Sequence, residues 1–363
     1  MNCRELIRVK AEMLCHGVKA SNETMARMEE VNSYVLDKGF MHAAHFILGN
    51  LIVNTCISEE FCKKSPYEIR ATKSAFSLYK DNHYISRIKV LPLPNWCKEE
   101  VDGYTIGDFL RPHSSECIAC WPALMCNFYA NGSQCKFCSM GDYRIRTILN
   151  EKTVSKMIKT ALDVNPNYEV ALSGGTCDGP DHSISYFSHI CKDIRSYGAK
   201  YVSVEIAPPD DLDYISRLKE SGATAIIMNL EVADDAKRIA ICPGKAKIPM
   251  EHYFSAYERA VSEFGSGNVS CVLIAGLQPA ADIIRKSAEL IDLGVVPTII
   301  PFKPLDGCLM KSHKTADPDE LIMISGEVEK LLVEKGITAG AQYGCTKCNG
   351  CSLETAFAQT ESV

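Results

Sequence analysis

The stretch Trp121-Pro122-Ala123-Leu124-Met125-Cys126, followed after eight intervening residues by Cys135-Lys136-Phe137-Cys138, decides how this chain is read. Its first part is a short apolar run of strand type. Its second part is a loop that brings three thiols close together. In a chain without a secretion signal, thiols so spaced read as metal ligands rather than as a disulfide. Iron–sulfur chemistry is the leading expectation, because three thiolates leave one position of a metal centre open to a small molecule.

Outward from this loop, short apolar runs alternate with amphipathic helical segments, the pattern of βα units. Val154, Met157, Ile158, Ala161 and Leu162 fall at i, i+3, i+4, i+7 and i+8 of the first helix. A second strand at 168–172 runs into Ser173-Gly174-Gly175-Thr176, and its helix carries Ile184, Phe187, Ile190 and Ile194 before stopping at Gly198. Further strands are expected at 200–206, 224–229, 269–275 and 297–300. The last helix opens with Asp317-Pro318 as N-cap and first-turn pair. Right-handed crossovers place each helix on the outer face of a rolling sheet, so six such units predict an α/β fold, a partial (βα)6 TIM-like barrel. Its chemistry is expected at the C-terminal ends of the strands. The chain divides into a mainly helical N-terminal extension over 1–110, the barrel over 111–335, and a cysteine-rich C-terminal segment over 336–363. Within the extension, a strand or hairpin is expected in 75–91.

The 363 residues are 46% hydrophobic and 23% charged with a net charge of -6, ordinary for a globular enzyme. The acidic balance argues against nucleic acid or an anionic membrane as partner. The N-terminus has no signal-peptide apolar core, and the longest mostly apolar stretch, 43–53, is too short to span a bilayer, so the chain reads as cytoplasmic. Of its eighteen cysteines, Cys177, Cys191, Cys242 and Cys271 sit singly within elements and read as small core residues.

Over about residues 117–335 the chain resembles the radical S-adenosylmethionine (SAM) superfamily. It has a first strand, a loop ending in Cys-x-aromatic-Cys, a Gly-Gly motif after the second strand, and six βα units. It departs from the commonest family spacing, which puts three residues between the first two cysteines. Cys117 and Cys120 compete for the first ligand position. With Cys135 and Cys138 they would also suit a structural zinc site in a non-catalytic scaffold. The resemblance implies a [4Fe–4S] cluster on Cys126, Cys135 and Cys138, with SAM on the open iron through its amine and carboxylate. It places Ser173, Gly174, Gly175 and Thr176 at the amine. Asn229 and Glu231 are similar to the Asn-x-Asp/Glu ribose contact of biotin-synthase-like members. Arg238 is expected at the SAM carboxylate or else at the surface, and Phe137 and Ile274 beside adenine or else in the core. The implied reaction takes one electron from reduced ferredoxin or flavodoxin, cleaves SAM to methionine and a 5′-deoxyadenosyl radical, and abstracts hydrogen from a substrate.

Near the end stands Gly344-Cys345-Thr346-Lys347-Cys348-Asn349-Gly350-Cys351. Its spacing matches the first three cysteines of the bacterial ferredoxin run, without the fourth cysteine and its proline. Cys345, Cys348 and Cys351 are expected to hold an auxiliary [4Fe–4S] cluster, with Cys308 as candidate fourth ligand. The two cysteine sets make the chain similar to biotin-synthase-related enzymes, an archaeal-type lipoyl synthase component among them. That implies sulfur insertion into a small-molecule or carrier-protein-bound substrate. Methylation and carbon-skeleton rearrangement in cofactor biosynthesis stay open.

Overall fold

The computed structural model describes residues 1–31, 43–57, 59–72, 75–114, 116–142, 147–177, 179–337 and 345–360. Helix α1 (Cys3–His16) is nucleated by a capping box: the Asn2 side chain accepts from the Glu5 amide while the Glu5 carboxylate accepts from the Asn2 amide. Helix α2 (Asn22–Val31) follows. The rest of this region is a sheet of β1 (Lys19–Ala20), β2 (Ala43–Leu48), β3 (Leu51–Cys56), β4 (Tyr67–Ala71), β5 (Phe76–Lys80) and β6 (His83–Val90), in the order β1-β4-β5-β6-β2-β3. The expected hairpin in 75–91 is therefore present as β5 and β6, but the mainly helical extension is corrected. Ala44, Phe46 and Leu48 are buried on one face of β2, while Ala43, His45 and Ile47 on the other are half-buried. With apolar residues on both faces, the period of two is hidden and the run reads as continuous.

A short hairpin of β7 (Glu100–Val101) and β8 (Tyr104–Thr105) leads to the second sheet. That sheet consists of β9 (Leu110–Pro112), β10 (Cys117–Ala123), β11 (Glu169–Gly174), β12 (Val202–Glu205), β13 (Ala225–Ile227), β14 (Val269–Ala275) and β15 (Val295–Pro301), in the order β15-β14-β13-β12-β11-β10-β9. Strands β10 to β15 are parallel and in sequence order, and β9 adds antiparallel to the edge. The one-turn helix α3 (Asn127–Ala130) follows Cys126. After it come α4 (Glu151–Val164), α5 (Ile184–Ser196), α6 (Asp213–Glu220), α7 (Asp235–Ile241), α8 (Met250–Phe264), α9 (Ala280–Leu293) and α10 (Pro318–Glu334). This is the expected half-barrel. The apolar stripes predicted for α4 and α5 are their buried faces, and the Asp317 side chain caps α10 by accepting from the Asp319 and Glu320 amides.

The C-terminal segment adds α11 (Cys345–Cys348) and α12 (Glu354–Thr360). It docks on β3, where the Asn54 amide donates to the Gly350 carbonyl at 2.7 Å, and below it the Lys10 ammonium donates to the Asn349 carbonyl at 2.8 Å. Arg8 of α1 pairs with Asp319 of α10. No helix among the described residues is long and apolar enough to cross a membrane.

Candidate active site

A cavity of about 400 Å³ opens where the C-terminal ends of the barrel strands face β2 and β3. Both cysteine sets reach it: Cys126, Cys135 and Cys138 from the first, Cys348 and Cys351 from the second. The first loop is stitched to the Gly-Gly turn by hydrogen bonds from the Gly175 amide to the Ala123 carbonyl (3.1 Å) and from the Asn127 amide to the Thr176 carbonyl (2.8 Å). A Cβ on Gly175 would lie 2.6 Å from the Cys126 Cβ and closer still to the Met125 carbonyl oxygen. Gly175 is thus required by the cysteine loop packed against it. On its other side the loop is held by bonds from the Lys136 amide to the Ile241 carbonyl and from the Gly244 amide to the Ser133 carbonyl, both 2.8 Å. The Tyr129 hydroxyl donates to the Cys138 carbonyl, and the Met140 amide donates to the Cys138 Sγ at 3.4 Å.

Burial pushes the Cys138 thiol up to about 11. A hydrogen bond with Cys242, followed by burial, raises Cys135 well above its ordinary value. Among the described residues no three His, Cys, Asp or Glu side chains are gathered as a bound metal would hold them. The donor set nevertheless fits a cluster: three thiols of one anchored loop share one cavity wall, and a backbone N–H already points at a sulfur. Loading would displace the thiol protons. Cys117 and Cys120 do not compete for it. Both are buried within β10, three residues apart, so their side chains leave opposite faces of the strand and cannot chelate together.

Asn229 and Glu231 both reach the cavity, but by another route than a shared strand face. Strand β13 stops at Ile227, and Glu231 takes a left-handed backbone at φ 68, uncommon for a residue other than glycine. Its amide donates to the Val272 carbonyl, and its carbonyl accepts from the Ile274 amide. The Glu231 carboxylate pairs with the Lys245 ammonium at 2.6 Å. Asn229 accepts from the Val272 amide at 3.0 Å and donates to Glu205 at 2.5 Å. Burial raises the pKa of Glu205. Burial also opposes the Lys245 charge, yet the Glu231 carboxylate and nearby Cys135 outweigh it and hold that pKa well above its ordinary value. Glu205 and Lys245 were missed in the sequence. Glu205 had a signal, as a carboxylate at a C-terminal strand end; Lys245, inside a loop, had none.

Ser173, Gly174, Thr176, Phe137 and Ile274 also line the cavity. Arg238 does not. It is 1% exposed, donates to the Lys245 and Ile248 carbonyls at 2.8 and 3.0 Å, and lies 4.7 Å from the Tyr253 ring centre. Cys308 does not line the cavity either; it packs in an apolar cluster with Cys56, Cys62 and Phe302. The Cys345 side chain lies outside the described residues. At the second set the Cys351 Sγ accepts from the Asn54 amide group at 3.2 Å, and the Cys348 thiol donates to the His113 carbonyl at 3.4 Å. Burial lifts Cys348 to about 12. The His113 ring stands 4.9 Å from that of His45 and 5.1 Å from Trp121. Burial holds His113 down to about 4 and His45 well below its ordinary value.

No family model matches the chain. The bacteriochlorophyllide c C-7(1)-hydroxylase of Chlorobaculum limnaeum is 29% identical to it over 136 residues, 37% of this chain and 34% of that protein. The chain therefore spans about a third of that relative's length. Among solved structures, methylornithine synthase aligns with a TM-score of 0.50 at 15% identity, over 61% of this chain and 64% of that one. A radical SAM methyltransferase from Sphaerobacter thermophilus aligns with a TM-score of 0.47 at 14% identity, over 79% and 80%. In its half-barrel, with a three-cysteine loop beyond the first parallel strand and a Gly-Gly turn beyond the second, the chain shares the fold of methylornithine synthase.

Proposed function

We propose that the chain cleaves SAM reductively at a [4Fe–4S] cluster held by Cys126, Cys135 and Cys138, and directs hydrogen abstraction to a small molecule in the same cavity. A second cluster on Cys345, Cys348 and Cys351 would stand beside that molecule. The observation that carries this reading is the shared cavity: thiols of both sets line it, together with the Gly-Gly turn, Asn229, Glu231 and Lys245. Bound there, cluster and SAM supply one-electron chemistry and hydrogen abstraction from an unreactive carbon. The protein's own groups orient SAM and exclude water. Ser173, Gly174, Gly175 and Thr176 would receive the methionyl amine, and Glu231 and Asn229 the ribose. Lys245 takes the place expected of Arg238 at the carboxylate, because it is the cation on the cavity wall beside the cysteine loop while Arg238 is committed to backbone carbonyls. Phe137 and Ile274 would flank the adenine. Reduced ferredoxin or flavodoxin would supply the electron.

For the reaction itself we favour placing a heteroatom on the carbon that loses hydrogen. Sulfur insertion is supported by the second thiol set at the same cavity. The partial likeness to a hydroxylase supports hydroxylation as the second reading. Anaerobic reconstitution should give about eight irons per chain, falling to about four when Cys345, Cys348 and Cys351 become alanine. SAM cleavage should vanish on replacing Cys135 or Cys138 and persist on replacing Cys345. Formation of 5′-deoxyadenosine without Cys135 and Cys138 would sink the proposal, and loss of sulfide against incorporation of water oxygen separates the two reactions.

A further inference from the structure

The cavity wall carries two carboxylates, Glu205 and Glu231, and both are engaged, with Asn229 and Lys245. The other permanently charged side chains of the lining are cations. Arg111, whose Nε donates to the Gly107 carbonyl at 2.6 Å, and Lys303 bring permanent charge; His45 and His113 bring rings held neutral by burial. Lys303 stands two residues beyond Pro301, the C-terminal end of β15, where barrel loops meet their ligands. It is only 8% exposed, and its Nζ has no hydrogen-bond or ion-pair partner among the described residues. The His45 Nε2 is likewise buried without a hydrogen-bond partner among them.

No ion pair holds the Lys303 ammonium among the described residues, so on the cavity wall it is open to an anionic ligand. The second cysteine set need not be that anion, because it has its own buried cation: Lys10 is bonded to the Asn349 carbonyl and lies in the field of Cys348 and Cys351. The same cavity is lined by apolar side chains, Leu91, Leu93, Trp121, Ile206 and Phe302 among them.

We propose that Lys303 anchors an oxyanion, carboxylate or phosphate, carried by a substrate with an apolar body, and that His45 Nε2 completes the contact. This rests on the reading of the cavity as the substrate chamber. In the anaerobically reconstituted full-length enzyme, 8-anilinonaphthalene-1-sulfonate is bound and then displaced by octanoate, octyl phosphate or 1-octanol. At least one anion should displace the dye at a concentration at least about ten-fold lower than the alcohol, with Lys303→Met abolishing that advantage and Lys303→Arg keeping it. Which anion prevails distinguishes carboxylate from phosphate. Equal displacement by octanol, an anion advantage that survives Lys303→Met, or no displacement by either anion overturns the proposal. Binding is read without turnover, so an enzyme that fails to cleave SAM sinks the proposed function while leaving the anion site standing.

Discussion

Replacing Gly175 by alanine should cost the protein the iron centre proposed at Cys126, Cys135 and Cys138, and the size of the effect follows from the packing of the Gly-Gly turn. The added Cβ would stand 2.6 Å from the Cys126 Cβ and from the Met125 carbonyl carbon, about 0.9 Å or more short of a carbon–carbon contact. The obstacle is mostly backbone, which cannot swing aside as a long side chain would. Relief means moving the 125–126 segment away from the end of β11. That move strains the bonds from Gly175 to Ala123 and from Asn127 to Thr176. Two hydrogen bonds at about 0.5–1.5 kcal/mol each, and overpacking of about 1–3 kcal/mol, put the cost at about 2–6 kcal/mol. Gly174 offers a graded comparison, since its Cβ would meet Ala123 at 3.0 Å, tight but partly against a methyl group. Iron and labile sulfide per chain after anaerobic reconstitution, with thermal melts by circular dichroism, provide the readout. Gly175→Ala should lose about half the iron and melt several degrees lower, with Gly174→Ala in between. If Gly175→Ala binds iron and melts as the wild type does, the inference that this glycine serves the cysteine loop is wrong.

Lys245→Met should destabilise the protein by about 3–5 kcal/mol in urea melts, because Glu231 is left buried without its cation, and adding Glu231→Gln should restore most of the loss. Arg238→Gln should lower stability by about 2–4 kcal/mol without rescue by lysine, since a guanidinium reaches both the Lys245 and Ile248 carbonyls while stacking on Tyr253; equal stability of Arg238→Lys and wild type would contradict that role. Burial depresses Lys10 from 10.5 to about 8. Between those values the unfolded chain binds the extra proton, so the burden of the buried charge is full below about pH 8 and relieved as pH rises to 10.5. The stability of the metal-free wild type relative to Lys10→Met should therefore climb by about 3 kcal/mol across that window, and a flat difference would refute it.

The barrel was legible because its signals are local and periodic. Val154 to Leu162 and Ile184 to Ile194 mark single buried helix faces, and a Gly-Gly turn marks a strand end whatever surrounds it. The N-terminal sheet was not, because β2 is apolar on both faces: Phe46 packs in the core while His45 and Ala43 face the cavity. Cys308 was placed at the second cysteine set from its loop position alone, but burial there among Cys56, Cys62 and Phe302 sets its packing. Likewise His45 and Asn54 face each other across the β2–β3 hairpin, but His113 and Lys303 come from distant segments, and nothing local announces that they join the pair.

Asn229 and Glu231 show where spacing stops being informative. Two residues apart in a strand would share a face whatever the chain did next. Here β13 has already ended, and the pair meets the cavity only because Glu231 accepts a left-handed backbone held by bonds to Val272 and Ile274 of β14. That turn aims the Glu231 carboxylate at Lys245, while Asn229 is fastened between Val272 and Glu205. Strained backbone at a non-glycine residue persists where neighbours over-determine it. The β14 pairing therefore fixes the polar wall as firmly as the motif does. A motif read as a two-residue ribose contact is in the fold a four-residue network, in which Glu205 and Lys245 set the charge that Asn229 and Glu231 present.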